Sequence, residues 1–404
     1  MSEISRNARF QEEEALNDVW REYVETVKRD EQRKEQLIGK KMSYNGKEMI
    51  YDYFVIGEKP EGGYPLYIAL HGGGSVPKEF NDRQWERMKS YYRDSVDQGI
   101  YVAARGIEDV YNTHSLPESF PLYDRLIENM IALMDADPNR VYIVGFSAGG
   151  DGVYQIAPRM ADRFAAANMS AGHHNGISPR NLYNLPFLLQ MGENDTAYNR
   201  HLEAPRFAGE LDRLQREAGG GYPHDIFLHK DMPHNFPDND AERKRNAVLE
   251  SPAEWLKGNA SGTVLKNTNA VDFLKLHARD PYPAKVVWDV STRAELRSVK
   301  SWYWLRKETQ AETGSIVAGY DRSGNRITIE SAVPGGFTVL LNGHMVDLSK
   351  PVIVDVMGEE HVIAIRPSTD IMKETAYERG DPNYIFSAGI TVASQDGKWV
   401  VESL

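Results

Sequence analysis

Short apolar segments alternate with longer segments of helical periodicity between residues 51 and 279. For example, the strand candidate PLYIAL precedes the helix candidate WERMKSYYRD, and the strand candidate IYVAA comes next. Because parallel neighbours must be joined by crossovers, usually helices, the alternation predicts a mostly parallel central sheet with helices on both faces. The strand candidates of this region are YDYFVIG, PLYIAL, IYVAA, VYIVG, FAAANMS, PFLLQMG and HDIFLHK.

The pattern changes after DPYP, near residue 281, where strand candidates follow one another without long helices between them. Turn sequences such as DRSGN, PGG, NGH and DGK separate these strands, and such sequences favour tight reversals. We therefore predict three parts: an N-terminal amphipathic helix region at 1–45, an α/β domain at 46–280 and an all-β, sandwich-like module at 281–404.

The N-terminal region carries an apolar stripe at helical spacing, and a stripe of this kind covers a neighbouring surface. We expect the helix to pack on its own domain. A homodimer contact, made through this helix or through the β-rich module, is the alternative. The residues of the stripe are Leu16, Val19, Trp20, Tyr23, Val24 and Val27.

Composition narrows the class of partner. The net charge of -12 makes a nucleic-acid partner unfavourable, because phosphate backbones are bound by dense positive charge. The chain has no cysteine, which excludes disulfides, thiolate catalysis and cysteine-ligated zinc but leaves the compartment open. The N-terminus lacks the apolar core of a signal peptide, and no run of 18 or more apolar residues occurs. We expect a soluble chain without a membrane span.

The segment GFSAGGDGVY places a serine between glycines directly after the apolar strand VYIV. Gly145, Ser147 and Gly149 form a G-x-S-x-G motif between this strand and a helix candidate, which is the context of a nucleophile elbow. Glycine suits the flanking positions because side chains there would collide with the neighbouring strand and helix. The motif predicts that Ser147 is a nucleophile.

A second glycine-rich segment, HGGG at 71–74, directly follows the strand PLYIAL. In acyl-transfer enzymes with this motif, backbone N–H groups of the turn and of the residue after the nucleophile hold the developing oxyanion. The donors predicted here are Gly72 or Gly73 together with Ala148.

A serine nucleophile needs a carboxylate that orients its base, and the expected chain order is serine, acid, histidine. Asp195 lies three residues after Gly192, in the loop that follows the strand PFLLQM. Open α/β sheets carry their sites at this end of the strands. Glu193 in the same loop is the rival, and Asp231 lies too near the candidate base, so we predict Asp195.

Eleven histidines compete for the role of base. His234 follows the strand HDIFLHK and comes late enough to satisfy the chain order. His224 and His229 fall before or inside that strand, and His201 lies beside the acid loop. This elimination favours His234.

Four further residues near these motifs are candidates for substrate binding: His173, His174, Trp85 and Tyr198. The two histidines follow the strand FAAANMS and are predicted to line the pocket. Adjacent side chains point apart on an extended chain and no H-E-x-x-H motif accompanies them, so we predict no metal. For Trp85 and Tyr198 packing in the core is favoured over a role as pocket walls.

HGGG, GFSAGGDGVY, GENDTAYN and MPHNFP, in this order and spacing, resemble the α/β-hydrolase superfamily. They are most similar to its esterase branch, which includes polyhydroxybutyrate-depolymerase-like and feruloyl-esterase-like proteins. The likeness covers about residues 50–280. It implies an α/β-hydrolase fold with a mostly parallel eight-stranded sheet, a triad of Ser147, Asp195 and His234, and a serine esterase without a cofactor. The substrate would be an ester on a small molecule or on a polymer.

Two alternatives remain beside the esterase. A serine peptidase of the oligopeptidase-like type shares G-x-S-x-G-G, but such enzymes usually carry a long N-terminal propeller, whereas about fifty residues precede the first strand here. A catalytically inactive binding or scaffold protein would act through the β-rich module, which is otherwise expected to be an accessory domain at 281–404. A complete, ordered set of catalytic residues disfavours this alternative.

Overall fold

The computed structural model describes residues 3–292, 300–307 and 313–404, with side chains from residue 9 onward. The helices are α1 (Glu3–Arg29), α2 (Glu31–Ile38), α3 (Lys78–Tyr91), α4 (Ser119–Met134), α5 (Ala148–Ile156), α6 (Arg200–Ala218), α7 (Pro252–Leu256), α8 (Ala270–Leu274) and α9 (Thr369–Arg379). The first ten strands are β1 (Lys41–Tyr44), β2 (Lys47–Ile56), β3 (Tyr64–Leu70), β4 (Gly99–Ala104), β5 (Ala136–Phe146), β6 (Ala166–Ser170), β7 (Phe187–Gly192), β8 (His224–His229), β9 (Arg245–Leu249) and β10 (Thr263–Asn267). The remaining strands are β11 (Lys285–Asp289), β12 (Ser301–Trp302), β13 (Leu305–Arg306), β14 (Ser315–Asp321), β15 (Arg326–Ser331), β16 (Phe337–Leu341), β17 (Val352–Val356), β18 (Glu359–Ile363), β19 (Ala388–Gln395) and β20 (Lys398–Ser403).

The chain divides into two units. The α/β unit consists of Lys34–Met130 and Met134–Arg279, and the β unit consists of Met1–Arg33, Ile131–Leu133 and Asp280–Leu404. The N-terminal helix α1 therefore clusters with the C-terminal strands, whereas the sequence pattern had set it apart as a region of its own.

The α/β unit is built on a ten-stranded sheet in the order β1-β2-β4-β3-β5-β6-β7-β8-β9-β10. The pairs from β4 through β3, β5, β6 and β7 to β8 are parallel, and the pairs at both edges are antiparallel. Its central strands are mostly apolar and buried, as expected for a parallel sheet that is covered on both faces, and every residue of β4, for example, is buried. The strand order and the covering helices confirm the predicted α/β-hydrolase fold, with ten strands instead of the implied eight.

The β unit contains two five-stranded sheets, in the orders β11-β14-β15-β17-β18 and β12-β13-β16-β19-β20. All pairs are antiparallel except β15 with β17. Tryptophans join the sheets: the rings of Trp288 and Trp302 stack at 6.2 Å, and Trp302 Nε1 donates to the carbonyl of Val287 at 3.1 Å. The predicted C-terminal β module is confirmed.

One helix of the β unit, α9, interrupts the strands that the sequence pattern predicted there. Its buried residues recur at helical spacing, and it ends at Gly380 in the left-handed conformation (φ 54°), as helices commonly do. The sequence pattern does not predict this helix, because the segment TDIMKETAYER contains few apolar residues and they do not form a clear apolar stripe. The buried residues of α9 are Ile371, Met372, Thr375, Ala376 and Arg379.

The apolar stripe of α1 is buried within the β unit. Val19 packs with Met372 and Ala376 of α9, and Tyr23 meets Tyr377 edge to face at 5.3 Å. A polar anchor accompanies this packing, because the buried carboxylate of Glu12 accepts hydrogen bonds from the Gly343 N–H (2.9 Å) and from the Ser387 hydroxyl. The stripe thus packs on its own unit, which was the first of the two predicted alternatives.

The Glu12 anchor predicts a loss of stability in the Glu12→Ala variant. Both donors would lose a buried acceptor, so we expect the free energy of unfolding to fall by about 1–3 kcal/mol, measured by urea denaturation. Glu14→Ala, at an exposed position of the same helix, is the matched control and should change it by less than about 0.5 kcal/mol. Equal losses in the two variants would contradict the role of Glu12.

No helix in the described part of the chain is both long enough and apolar enough to cross a membrane.

Candidate active site

Ser147 stands on a strained turn between β5 and α5. Its backbone has φ 58° and ψ -120°, a conformation that residues with a side chain rarely adopt. Two hydrogen bonds hold this turn: the Ser147 N–H donates to the carbonyl of Ser170 at 2.9 Å, and the Asp151 N–H donates to the carbonyl of Ser147 at 3.0 Å. Strain of this kind persists only where the surroundings fix it, so the turn holds the hydroxyl of Ser147 in one place.

The glycines of the G-x-S-x-G motif allow α5 to approach the sheet. A Cβ on Gly149 would overlap the carbonyl oxygen of Leu70 at the end of β3, and a Cβ on Gly145 would overlap the backbone of Gly149. Neither obstacle is a flexible side chain, so larger residues at these positions would push the helix away from the strands. This is the steric reason that the sequence analysis gave for the motif.

His234 links the serine to a buried carboxylate. Its Nε2 lies 3.0 Å from the Oγ of Ser147, and its Nδ1 lies 2.7 Å from the Oδ2 of Asp195. Asp195 is 3% exposed and follows β7, whereas His234 follows β8, the neighbouring parallel strand. Because parallel strands end at the same edge of the sheet, the two loops meet, and the structure brings the three predicted residues together.

The loops that carry Asp195 and His234 touch at a glycine. A Cβ on Gly192 would overlap the carbonyl oxygen of Pro233, the residue before the histidine. The Asn194 N–H also donates to the carbonyl of Met232 at 2.8 Å. The distance between the acid and the base is therefore fixed by the backbone as well as by their own hydrogen bond.

The rival carboxylates are bound elsewhere. Glu193 accepts hydrogen bonds from Lys230 Nζ (3.0 Å), from Trp255 Nε1 (3.1 Å) and from the N–H of Asp231. The side chain of Asp231 is 78% exposed and lies 3.3 Å from Lys230. Of the three candidates, Asp195 is the one that contacts the imidazole.

The HGGG turn lies against the serine. A Cβ on Gly72 would stand 3.2 Å from the Cβ of Ser147, so the backbone at this position approaches the nucleophile closely. Gly73 has φ 115°, and a Cβ there would collide with Oδ1 of Asn81. The geometry of the turn thus requires glycine at position 73 and leaves little space for a side chain at position 72. Within the described part of the chain, the N–H groups of Gly73 and Ala148 donate to no protein acceptor.

Buried polar side chains fix this turn from behind. Asn81 accepts from the Gly74 N–H at 2.9 Å and donates to the Gly74 carbonyl at 2.8 Å. His71 Nε2 accepts from the Gly106 N–H at 3.0 Å, so its Nδ1–H donates to the Gly72 carbonyl at 2.6 Å. Burial lowers the pKa of His71 to about 4, which keeps the imidazole neutral at pH 7. The sequence analysis did not find these supports.

A cavity of about 330 Å³ opens beside the Ser147 hydroxyl. Its wall combines apolar surface with polar groups from α3 and from the His234 loop. The residues that line it are Gly72, Gly73, Val76, Phe80, Gln84, Arg87, Met88, Tyr91, Phe146, Ser147, His234 and Asn235.

The four candidate substrate-binding residues lie outside this wall. Trp85 donates from Nε1 to the carbonyl of Ala103 at 2.9 Å and packs against the core, as favoured from the sequence. Tyr198 is 67% exposed with its ring beneath Arg200, so the expectation that it packs in the core is wrong: the backbone turns it outward at φ 55°. The rings of His173 and His174 stack at 5.2 Å, contrary to the expectation that they point apart, because the chain is not extended there.

Two buried carboxyl groups support the site and were also missed. Asp238, which is fully buried, accepts from the hydroxyls of Tyr91 (2.9 Å) and Tyr92 (2.7 Å), so it ties the His234 loop to α3. Asp151, in the first turn of α5, accepts from the His173 N–H at 2.6 Å, and burial raises its pKa to about 6. No sequence motif marks either carboxyl group, and the place of Asp151 in the first turn of α5 indicates only a favourable charge at a helix start.

Comparison with known proteins gives distant structural matches. No family model and no curated protein matches the chain. A thermostable esterase aligns at 20% identity over 60% of this chain and 64% of its own, with a TM-score of 0.39. LpqC, a poly(3-hydroxybutyrate) depolymerase from Bordetella parapertussis, aligns at 15% identity over 57% and 88%, with a TM-score of 0.37. FphF, a fluorophosphonate-binding serine hydrolase of Staphylococcus aureus, aligns at 13% identity over 48% and 90%, with a TM-score of 0.34. The three structures compared are thus an esterase, a depolymerase and a serine hydrolase.

Asp151 predicts a dependence of stability on pH. Its folded-state pKa of about 6 lies above the value of about 3.9 in an unfolded chain. The group therefore favours folding below about pH 4, and this contribution is lost as the pH rises through 6. We expect the unfolding free energy of the wild type, relative to Asp151→Asn, to fall by about 2 kcal/mol between pH 4 and pH 7.

The measurement is urea denaturation of both proteins across this range. Asn keeps an oxygen that can accept from the His173 N–H, so the comparison isolates the charge. Asp94→Asn, at an exposed position, is the control and should show a much smaller trend. A flat difference between the wild type and Asp151→Asn would show that the carboxyl titrates normally.

Proposed function

We propose that the protein is a serine hydrolase that cleaves carboxylic esters through an acyl-enzyme on Ser147. One observation supports the proposal above all: Ser147, His234 and Asp195 are linked by hydrogen bonds, and the serine and the glycine-rich turn line the same cavity. A serine hydroxyl is a weak nucleophile at its ordinary pKa, and this arrangement supplies the base that activates it.

In the first half of the reaction, His234 Nε2 takes the proton of the Ser147 hydroxyl as the oxygen attacks the ester carbonyl. Asp195 accepts the Nδ1–H and stabilises the imidazolium that forms. The imidazolium then gives its proton to the leaving alkoxide as the carbon–oxygen bond breaks. The alcohol departs and the acyl group remains on the serine.

The tetrahedral intermediate places a negative charge on the former carbonyl oxygen. We assign its stabilisation to the N–H groups of Gly73 and Ala148, with the turn at Gly72 providing close approach. These N–H groups donate to no acceptor within the described residues, which leaves them available to the oxyanion. Asn81 and His71 hold the turn so that little reorganisation is required.

In the second half, water enters the place of the alcohol. His234 takes a proton from the water as its oxygen attacks the acyl carbonyl, and then returns the proton to Ser147 as the acid leaves. Each step needs only groups that this chain supplies, so the mechanism requires no cofactor.

We further propose that catalysis belongs to the α/β unit and that residues 281–404, together with α1, act as an accessory module. Ser147, Asp195, His234 and the cavity beside them all come from the α/β unit. The two sheets of the β unit bury a core of their own, which includes Trp302 and Trp304. The N-terminal helix α1 is included in the module because it clusters with the β unit.

Ser147→Ala and His234→Ala are each expected to lower kcat for a small aryl ester by at least about a thousandfold, because both act on the same proton transfer. A fluorophosphonate probe should label the wild type at Ser147, mapped by mass spectrometry, and should not label Ser147→Ala. Asp195→Asn should lower turnover strongly, whereas Glu193→Gln, the control in the same loop, should have a mild effect. The reverse order would show that Glu193 is the acid, and labelling elsewhere would refute the nucleophile.

A peptide substrate of the same acyl group, assayed beside the ester, tests the peptidase alternative. We expect turnover of the ester to exceed that of the peptide by orders of magnitude. Comparable peptide turnover would favour the peptidase, and absence of labelling and of ester turnover in the folded wild type would favour a non-catalytic protein.

Gly73→Ala should disable the oxyanion turn. The added Cβ would meet Asn81 and would strain a backbone at φ 115°, so the N–H would move away from the oxyanion. We expect a loss of about a hundredfold in kcat. Gly209→Ala is the matched control because an added Cβ there meets no atom within 4 Å. Full activity in Gly73→Ala, with circular dichroism unchanged in both variants, would exclude the turn from the oxyanion site.

A further inference from the structure

One face of α3 forms much of the cavity wall beside Ser147. Phe80, Gln84, Arg87, Met88 and Tyr91 are spaced as neighbours along one side of a helix, and all five line the cavity. Three of them present apolar or aromatic surface. Gln84 and Arg87 instead present hydrogen-bond donors, and the amide of Asn235, on the His234 loop, supplies a third donor group. The wall therefore combines an apolar surface with a small group of donors.

Arg87 is the charged residue of this wall, apart from the His234 imidazole when it is protonated. Within the described part of the chain its guanidinium forms no ion pair. Its Cζ lies over the ring of Tyr91, 5.2 Å from the ring centroid. Two other cations of the same helix are paired: Lys78 with Asp82, and Lys89 with Asp52 at 2.7 Å. Arg83 also has no ion pair within the described residues, but it does not line the cavity. The positive charge at the cavity is therefore not neutralised by a neighbouring carboxylate.

Nearby carboxylates are occupied by other partners. Asp195 binds His234, and Asp238 accepts from two tyrosine hydroxyls in full burial. Asp94 lines an adjoining cavity with Arg87 but lies 3.3 Å from Arg93. The net charge of -12 disfavours anions in general, whereas the guanidinium of Arg87 presents a positive charge at the wall of the cavity that also contains Ser147.

We propose that Arg87 binds a carboxylate of the substrate, so that the preferred ester carries a negative charge near its scissile carbonyl. The inference rests on the proposed ester hydrolysis and names its substrate class. The planar guanidinium matches a carboxylate with two parallel hydrogen bonds, while the aromatic and aliphatic wall accommodates the carbon chain or ring between the two groups. A monoester of a dicarboxylic acid or an ester of a hydroxy acid has this composition.

The test compares matched substrates that differ in charge. On the acyl side these are the 4-nitrophenyl monoester of adipic acid and its methyl ester; on the alcohol side they are 4-acetoxybenzoate and its methyl ester. The quantity measured is the ratio of kcat/KM for the anionic substrate to that for the neutral one, at pH 7 and low salt. Ratios are compared between variants, so differences in intrinsic reactivity cancel.

Arg87→Gln should lower this ratio by about five- to tenfold in at least one pair, the loss expected for one charge-assisted contact near solvent. Arg83→Gln is the matched control. Arg83 lies one turn earlier on α3, is exposed, contacts an aromatic ring (Phe80, 5.5 Å) and has no ion pair within the described residues, but it does not line the cavity. The control should keep the wild-type ratio. Raising the salt to 0.5 M should bring the wild-type ratio toward that of Arg87→Gln.

Equal ratios in the wild type and Arg87→Gln for both pairs would overturn the inference, and so would an equal fall in Arg83→Gln, which would indicate a long-range field instead of a contact. In both cases Ser147-dependent hydrolysis of the neutral esters would leave the proposed function standing. Failure of the wild type to hydrolyse any of the four esters would refute the proposed function and this inference with it.

Discussion

The geometry of the site depends on the close contact between the start of α5 and the end of β3. Gly149 touches the carbonyl of Leu70, and no side chain could stand between them. Ser147, with its strained backbone at φ 58°, lies directly before this contact, and the HGGG turn continues directly from β3. The turn and the serine are so close that a Cβ added at Gly72 would stand 3.2 Å from the Cβ of Ser147. The nucleophile and the oxyanion donors are therefore positioned by the same pair of strands. β3 and β5 are parallel neighbours, and the connections that follow them leave at the same edge of the sheet.

The fold and the three central residues could be predicted because they follow from local rules. Alternation of strands and helices determines a parallel sheet, and chain order selects Asp195 and His234 once Ser147 is known. The wall of the cavity could not be predicted in this way. Which side of α3 faces the serine depends on how the helix packs, so Arg87 carries no signal that distinguishes it from Arg83, four residues earlier. Asp238 likewise acts through tyrosines nearly 150 residues away in sequence.

The β unit also contains contacts that the sequence pattern could not predict. The stripe on α1 indicated that the helix is covered but not what covers it, because its partner α9 lies more than 340 residues later in the chain. In the sequence EEE nothing distinguishes Glu12 from the two glutamates that follow it. Its carboxylate is nevertheless buried and accepts a hydrogen bond from the N–H of Gly343. Periodicity predicts burial, whereas the identity of a partner depends on topology.

The carboxylates around His234 divide their roles by environment. Glu193 accepts from a lysine and an indole, and Asp238 accepts from two phenol hydroxyls. Asp151, at the start of α5, accepts from the backbone N–H of His173. Burial raises the pKa of Asp238 and the pKa of Asp151. Asp195 is the carboxylate in contact with the imidazole, so the orientation of His234 is set by one partner. The neighbouring acids can therefore stabilise the loops without competing for the base, which leaves its Nε2 directed at Ser147.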